Sequence, residues 1–365
     1  MRIARVVASV HRVRGTLPVS GKPIPDALRV VCEVETDDGL TGVGMTGRFL
    51  AHGTAAVVNR HLGPAVLGLD PRDVEAINAH MAALASERGR MSGINLAAMS
   101  CIDLACWDLA GKASARSVAQ LLGGHSDAAD VYVTFGFPGY DADELVETAR
   151  LLVSQGHSRL KLLVGTSHGL SADIERVRRV RRAVGDEIVL AIDANEGIAL
   201  DAALFLARGL EDVGIAWFED PLHNNDARDL AMLRRKTTIP LSAGQMDGHS
   251  ARFREWIEHD AIDVLMPNSM FNGGMTETRR VAALAHIYNR PLSDAGGGGV
   301  FSLHHVAAFA NGTLAEMHLG ADQVEHTLFE RVPAPQGGRT ALPQAPGWGI
   351  ALNRDALRET RIEAE

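Results

Sequence analysis

The chain has 365 residues, 46% of them hydrophobic, a formal net charge of −9 and a pI of about 5.9. That length and apolar content suit one large domain with a smaller one beside it, and the acidic balance without a basic stripe excludes a charge-driven nucleic-acid binder. With no N-terminal apolar h-region and no run of the ~18 apolar residues that a membrane span needs, no membrane partner is expected and the compartment is expected to be the cytoplasm.

Residues 2–10 and 28–34 predict strands flanking a Gly/Pro-rich loop from Gly15 to Pro25 that is too polar for a core. Asp37-Asp38-Gly39 is a turn signal, and Gly42 to Gly47 predicts another strand and a glycine-rich loop. From Ala55 to Gly123 the pattern is helical, clearest in Asn95 to Gly111, which is apolar almost all round and therefore buried. Strands followed by helices make residues 1–127 an α+β unit. Cys32, Cys101 and Cys106 lie in apolar surroundings with no partner at zinc-ligand spacing, which predicts buried thiols in a reducing compartment.

From Val131 the rhythm becomes strand, helix, strand. VYVTFG, Leu160 to Val164, Ile188 to Ile192 and Ile215 to Phe218 predict strands, with helices at Asp141 to Gln155, Ser171 to Val184 and Leu200 to Leu210. Further strands start near Pro240, Asp263, Pro291 and Thr313. About eight βα units predict an α/β chain built as a (β/α) barrel over 128–339, with the α+β block as a cap and a tail of about 340–365 packing back on the cap.

Two of these strands end abruptly in acids. Asp193 follows Val189-Leu190-Ala191-Ile192, and Glu219 with Asp220 follows Ile215-Ala216-Trp217-Phe218. Continuous apolar runs read as strands buried on both faces, and carboxylates at their C-terminal ends sit where a barrel builds its chemistry. Asp193 and Glu219 are one βα step apart, and one more step lands on Gln245 in PLSAGQMDG. Oxygen donors on successive strand tips suggest a Mg²⁺ site, with Gln245 or Asp247 as third ligand, and Asp220 and Glu196 as supporting or loop acids. Asn195 is placed to hydrogen-bond a substrate oxygen there.

With the capping block, KLLVG, AIDANEG, WFEDP, AGQ and MPN…GG in this order, the chain resembles the enolase superfamily, in its mandelate racemase/muconate-lactonizing branch. The resemblance covers nearly the whole chain and implies a modified (β/α) barrel with a capping domain. It implies Asp193, Glu219 and Gln245 at the metal positions, Lys161 as the first lysine of a Lys-x-Lys pair, and Glu316 as a substrate-facing acid on the last strand. It also sets Asn268 and Ala295 where a His-Asp dyad stands. The departures are informative: Leu163 replaces the second lysine, and neither dyad position can take a proton.

Lys161 is then the remaining base, and burial beside a divalent cation is expected to disfavour its ammonium form. Asp294, one residue before the lost histidine, is the candidate replacement acid. Asn268 and Gly297 are candidate substrate contacts, the Gly296 to Gly299 run offering N–H groups to a substrate carboxylate. His223, His249 and His318 are weaker acid/base candidates whose plainer readings are loop, helix-start and core residues, and His304 and His305 read as structural. The expected function is a Mg²⁺-dependent lyase, a dehydratase of a sugar acid or related hydroxy-carboxylate, working through α-proton abstraction. An epimerase or cycloisomerase, and a non-catalytic metal- or carboxylate-binding descendant, are the alternatives. The partner is a small carboxylate, and a homo-oligomer is expected. The loops Arg14 to Ala27 and Gly44 to Thr54 are the expected selectors of substrate.

Overall fold

The computed structural model of the protein describes residues 1–47, 49–86 and 93–362. The helical pattern at 87–92, the selector-loop position Arg48 and the tail at 363–365 lie outside them. The chain opens with an antiparallel hairpin, β1 (Ile3–Thr16) and β2 (Pro23–Thr36), paired from Ile3 with Thr36 out to Thr16 with Pro23. The connecting loop is thus 17–22, shorter than the sequence suggests. The ladder runs on past a register shift between Val13 and Gly15, so residues that look like a polar loop extend the strands instead. β3 (Thr41–Thr46) adds to β2, and a helical layer packs on the sheet: α1 (Ala51–Val57), α2 (Gly63–Val66), α3 (Val74–Ser86) and α4 (Ile94–Ser114).

α4 lies against the sheet because β3 offers glycine where it crosses. A Cβ at Gly42 would stand 2.1 Å from the Ala105 carbonyl oxygen, and one at Gly44 2.0 Å from that of Cys101. By length and hydropathy α4 is the one helix among the described residues that would pass as a membrane span, yet 78% of that stretch is buried inside the fold. It is the core helix of the cap, as its all-round apolar pattern predicts. All three cysteines are free and buried, two of them on this helix.

After α5 (Val118–Leu122) the barrel begins. Its parallel strands are β4 (Ala128–Gly136), β5 (Arg159–Leu163), β6 (Val189–Asp193), β7 (Ile215–Glu219), β8 (Leu241–Ala243), β9 (Val264–Leu265) and β10 (Leu314–His318), with β10 pairing back on β4. Between β9 and β10 a single bridging residue, Leu292, pairs in parallel with Leu265 and Gly312 and closes the ring. Leu265 N donates to Pro291 O at 3.1 Å and Asp294 N to Leu314 O at 3.0 Å. The outer helices are α6 (Ala142–Ser154), α7 (Leu170–Val184), α8 (Leu200–Leu210), α9 (Ala227–Arg234), α10 (Ser250–Glu258), α11 (Met275–Ile287), α12 (Gly299–Ala308) and α13 (Leu319–Leu328).

Alternation along these strands decides the site. Leu160, Leu162, Leu190, Ile192 and Phe218 face outward into the layer between strands and helices. Tyr132, Ala191 and Trp217 face the barrel interior, with Met266 and Ala295. Residues in step with the interior set, namely Thr134, Lys161, Asp193, Glu219 and Glu316, therefore point into the barrel mouth.

Beyond α13, β11 (Phe329–Glu330) pairs with β13 (Ala351–Leu352), and β12 (Arg339–Ala341) pairs with β4. α14 (Arg354–Thr360) leads into β14 (Arg361–Ile362), which pairs with β1 of the cap. Trp348 is buried in the cap, its Nε1 donating to the carbonyls of Val43 and Leu104 at 3.1 and 3.0 Å.

Candidate active site

Lys161 is the centre of the barrel mouth. Its Nζ lies 2.5 Å from Glu219 Oε1, 3.0 Å from Asp193 Oδ2 and 3.1 Å from Glu316 Oε1, with the Tyr132 ring centroid at 5.2 Å. Lys161 is 1% exposed, and the three carboxylates are buried with it. Burial alone would lower its pKa, but the charges of Asp193, Glu219 and Glu316 hold it well above the ordinary lysine value. This reverses the expected direction, because three anions outweigh desolvation.

Glu316 is anchored from every side. Lys161 pairs with it, the Thr134 hydroxyl and the Gly297 N–H donate to it, and these contacts with the nearby His318 leave its pKa lowered in spite of burial. The glycine-run N–H expected to cradle a substrate carboxylate is thus used at Gly297 by a carboxylate of the protein itself. Asn268 is likewise taken up within the fold. Its Nδ2 donates to Ala295 O at 2.7 Å, its Oδ1 accepts from Met270 N at 2.9 Å, and it is fully buried, so it positions the backbone at the dyad register and does not reach the cavity. Asp294 also sits behind the site. Its Oδ1 accepts from Ser302 Oγ at 2.5 Å, its Oδ2 from Glu316 N at 3.4 Å, and burial together with the Glu316 charge pushes its pKa well up. It is a support beneath Glu316 and is absent from the cavity lining.

At the strand tips Asp193 Oδ1 accepts from Asn195 N at 2.7 Å, Glu219 Oε2 accepts from Trp217 Nε1 at 3.3 Å, and Gln245 Nε2 donates to Asn195 Oδ1 at 3.1 Å. The chain turns sharply after each acid: Asn195, Glu196 and Asp220 have φ of 47°, 56° and 39°. Such left-handed residues persist where the surroundings fix them. Asp220 is held by Gly244 N and Asn225 Nδ2 on Oδ1, while its Oδ2 is buried without a hydrogen-bond partner. Asp247 is engaged with Asn225 at 3.0 Å and Arg252 at 3.4 Å, so it is committed away from the tips. Burial and mutual repulsion push Asp220 well up, Asp247 up, and Glu196 up to about 7.

The buried carboxylates of Asp193 and Glu219, which share a single ammonium, fit a cation. Among the described residues no group of three or more His, Cys, Asp or Glu side chains is arranged as a metal centre. The third oxygen donor here is the amide of Gln245, and a set of Asp193, Glu219 and Gln245 oxygens suits a hard divalent ion.

Above the tips lies a cavity of about 490 Å³ between cap and barrel, lined by Thr134, Leu163, Asp193, Asn195, Gln245, Glu316 and His318 from the barrel and by β2 and its hairpin loop from the cap. His318, a weaker candidate in the sequence, shares the Glu316 face two residues on. Its Nδ1 accepts from Gly320 and Ala321 N at 3.2 Å, and its ring packs on Phe137 at 5.0 Å. Thr134 is a contributor that sequence reasoning missed. The remaining histidines are structural: His249 caps α10, His223 Nδ1 lies 2.7 Å from Glu196 O, His304 Nδ1 accepts from Ala119 N, and His305 is buried in α12.

A barrel of seven parallel strands closed through the Leu292 bridge, with acids on successive tips and an α+β cap, defines an enzyme class in which charge is gathered at the C-terminal strand ends. The chain belongs to the mandelate racemase/muconate lactonizing enzyme family. Residues 2–123 match its N-terminal domain, and residues 144–356 match the enolase C-terminal domain-like family. It is 32% identical over 333 residues to L-rhamnonate dehydratase of Saccharopolyspora erythraea, covering 89% of this chain and 83% of that one. It is 31% identical over 352 residues to D-galactarolactone cycloisomerase of Agrobacterium fabrum, covering 91% of each. A racemase from Streptomyces coelicolor A3(2) with bound magnesium superposes with a TM-score of 0.91 at 26% identity, over 99% of this chain and 100% of that one.

Proposed function

We propose that the protein is a Mg²⁺-dependent dehydratase of a sugar acid or closely related hydroxy-carboxylate. The observation that carries this reading is the Lys161–Glu316 pair beside the oxygen donors Asp193, Glu219 and Gln245, all at one barrel mouth. Bound by those donors, Mg²⁺ would supply the positive charge that favours loss of a proton next to the substrate carboxylate. The chain's own groups handle the protons. Glu316 lines the cavity as a carboxylate, and Lys161 pairs with it from within the barrel. Together they take the α-proton and return a proton to the departing β-hydroxyl, so that the C–O bond breaks, water leaves and the enol product becomes a 2-oxo-3-deoxy acid.

Leu163 and Ala295 favour elimination over racemisation, since inverting a stereocentre needs a proton-transfer group on each face and neither residue can serve. The likeness to a cycloisomerase supports that reaction as the second reading. The test is a screen of aldonic and aldaric acids for 2-oxo acid formation with and without Mg²⁺. The proposal expects turnover of at least one acid, lost on chelation and in Asp193→Ala. Product formation that survives both would refute it.

A further inference from the structure

We infer that the far end of the acid held in this cavity is hydrocarbon-like: a deoxy hydroxy-acid ending in a methyl or methylene group, in preference to its fully hydroxylated counterpart or a diacid. This rests on the proposed function for where the carboxylate lies, and adds what the other end must be.

The cavity lining is part polar and part apolar. Its polar side chains are Thr134, Asp193, Asn195, Gln245, Glu316 and His318 at the strand tips and Arg29 from the cap. The apolar side chains of the lining include Leu163 at the strand tips beside Asp193, Phe137 and Pro138 after β4, and Leu17, Ile24 and Ala27 of the cap. None of those six side chains carries a donor or acceptor. Two of them reach across from the cap to the barrel. Leu17 is 4% exposed, and its Cδ1 would stand 3.0 Å from a Cβ at Gly139 of the loop after β4. Ile24 Cδ1 would stand 3.5 Å from a Cβ at Gly320 at the start of α13. Cap and barrel meet here through apolar side chains. A hydroxyl set against them gives up water and receives nothing in return.

Leu163 sharpens the point, because it brings an apolar group to the cavity on the same strand as Lys161. Arg29 is the one arginine in the lining. Its Nη1 donates to Leu28 O at 3.0 Å, and its charge favours the ionised form of Glu325 on α13. It already has company within the protein. A diacid would have to draw its second carboxylate to this group past the apolar side chains.

The test is calorimetry on the Mg²⁺-loaded full chain with matched trios: a 6-deoxyhexonate, the hexonate that differs only in its terminal hydroxyl, and the corresponding hexarate. The deoxy acid is expected to bind about 10- to 100-fold tighter than the hexonate, the range for small changes in a hydrophobic pocket, and the hexarate weakest. Ile24→Thr and, separately, Leu163→Thr are expected to shrink that ratio severalfold with Mg²⁺ affinity unchanged. A hexonate that binds tighter overturns the inference, as does a hexarate that binds tighter, which would give Arg29 the second carboxylate. A ratio unmoved in both variants also overturns it. Turnover without this order of binding sinks the inference alone. This order without turnover sinks the dehydratase reading alone. No binding by any of the three sinks both.

Discussion

Lys161 Nζ lies 2.5 Å from Glu219 Oε1, and both side chains are withdrawn from solvent. The same carboxylate is a candidate cation ligand, as is Asp193 on the other side of the ammonium. A cation at the strand tips and the lysine therefore compete for two of its three partners. Glu316, at 3.1 Å, is the partner that remains with Lys161 when a cation takes the other two.

Removing the ammonium should act on chemistry and stability together. Lys161→Met is expected to lower turnover by roughly 10²–10⁴-fold, as for loss of a general acid–base group. It also leaves three buried carboxylates facing one another, so stability without metal should fall by about 3–5 kcal/mol, as when a buried ion pair is broken. Mg²⁺ should restore part of that loss. Kinetics and urea unfolding with and without Mg²⁺ check both. Wild-type turnover in Lys161→Met with loss in Glu316→Gln would leave Glu316 as sole base.

Mg²⁺ should raise the melting temperature of the wild type, because it binds only where the three tips are assembled. Asp193→Ala should abolish that rise. A thermal shift of equal size in the variant would remove Asp193 from the site.

Gln245 brings a neutral oxygen where an anionic one would bind more strongly. Gln245→Glu is expected to tighten Mg²⁺ severalfold, since affinity for hard cations follows ligand charge. The new carboxylate loses the bond that Gln245 Nε2 makes to Asn195 Oδ1 at 3.1 Å, so Asn195 must turn its amide. Weaker or equal binding by calorimetry would show that residue 245 does not face the ion.

The parts of this site legible in the sequence are those written along a single strand. Asp193 and Glu219 announce themselves because wholly apolar runs end in acids, and Lys161 through its match to the first lysine of the Lys-x-Lys pair that the resemblance implies. What was not legible depends on pairs distant in the chain. The Gly297 N–H is taken by Glu316, and Glu316 in turn by Thr134, contacts made only when β10 closes on β4. Asn268 and Asp294 carry the right chemistry at the right strand ends, yet their bonds to Ala295 O and Ser302 Oγ turn them inward. His318 was within reach, since it repeats the Glu316 face two residues on. The shortest strands, β8, β9 and the pairing at Leu292, are too brief for periodicity to fix their phase.

Burial supplies a pH dependence away from the site. Glu325, bonded to Val300 N at 2.9 Å, is pushed up to about 8 by desolvation. Its folded pKa lies above the unfolded 4.5, so between pH 4.5 and about 8 the unfolded chain releases a proton that the folded chain keeps. Stability should therefore fall across that window, by about 1.4 kcal/mol per pH unit at most from this group. Glu325→Gln keeps the acceptor and removes the charge. It is expected to match the wild type near pH 4.5 and exceed it at pH 8. Identical pH dependence in urea unfolding would exclude Glu325 as the source.

The cation itself can be located directly, with Mn²⁺ standing in for Mg²⁺ in crystals and its anomalous signal marking the position. The expected result is one peak within about 2.0–2.3 Å of Asp193, Glu219 and Gln245 oxygens, a distance typical of hard-cation ligation, with Lys161 Nζ drawn off Asp193 and Glu219 and kept by Glu316. A peak held by other residues, or none while Lys161 stays on all three carboxylates at saturating metal, would contradict a cation-dependent reaction at this barrel mouth.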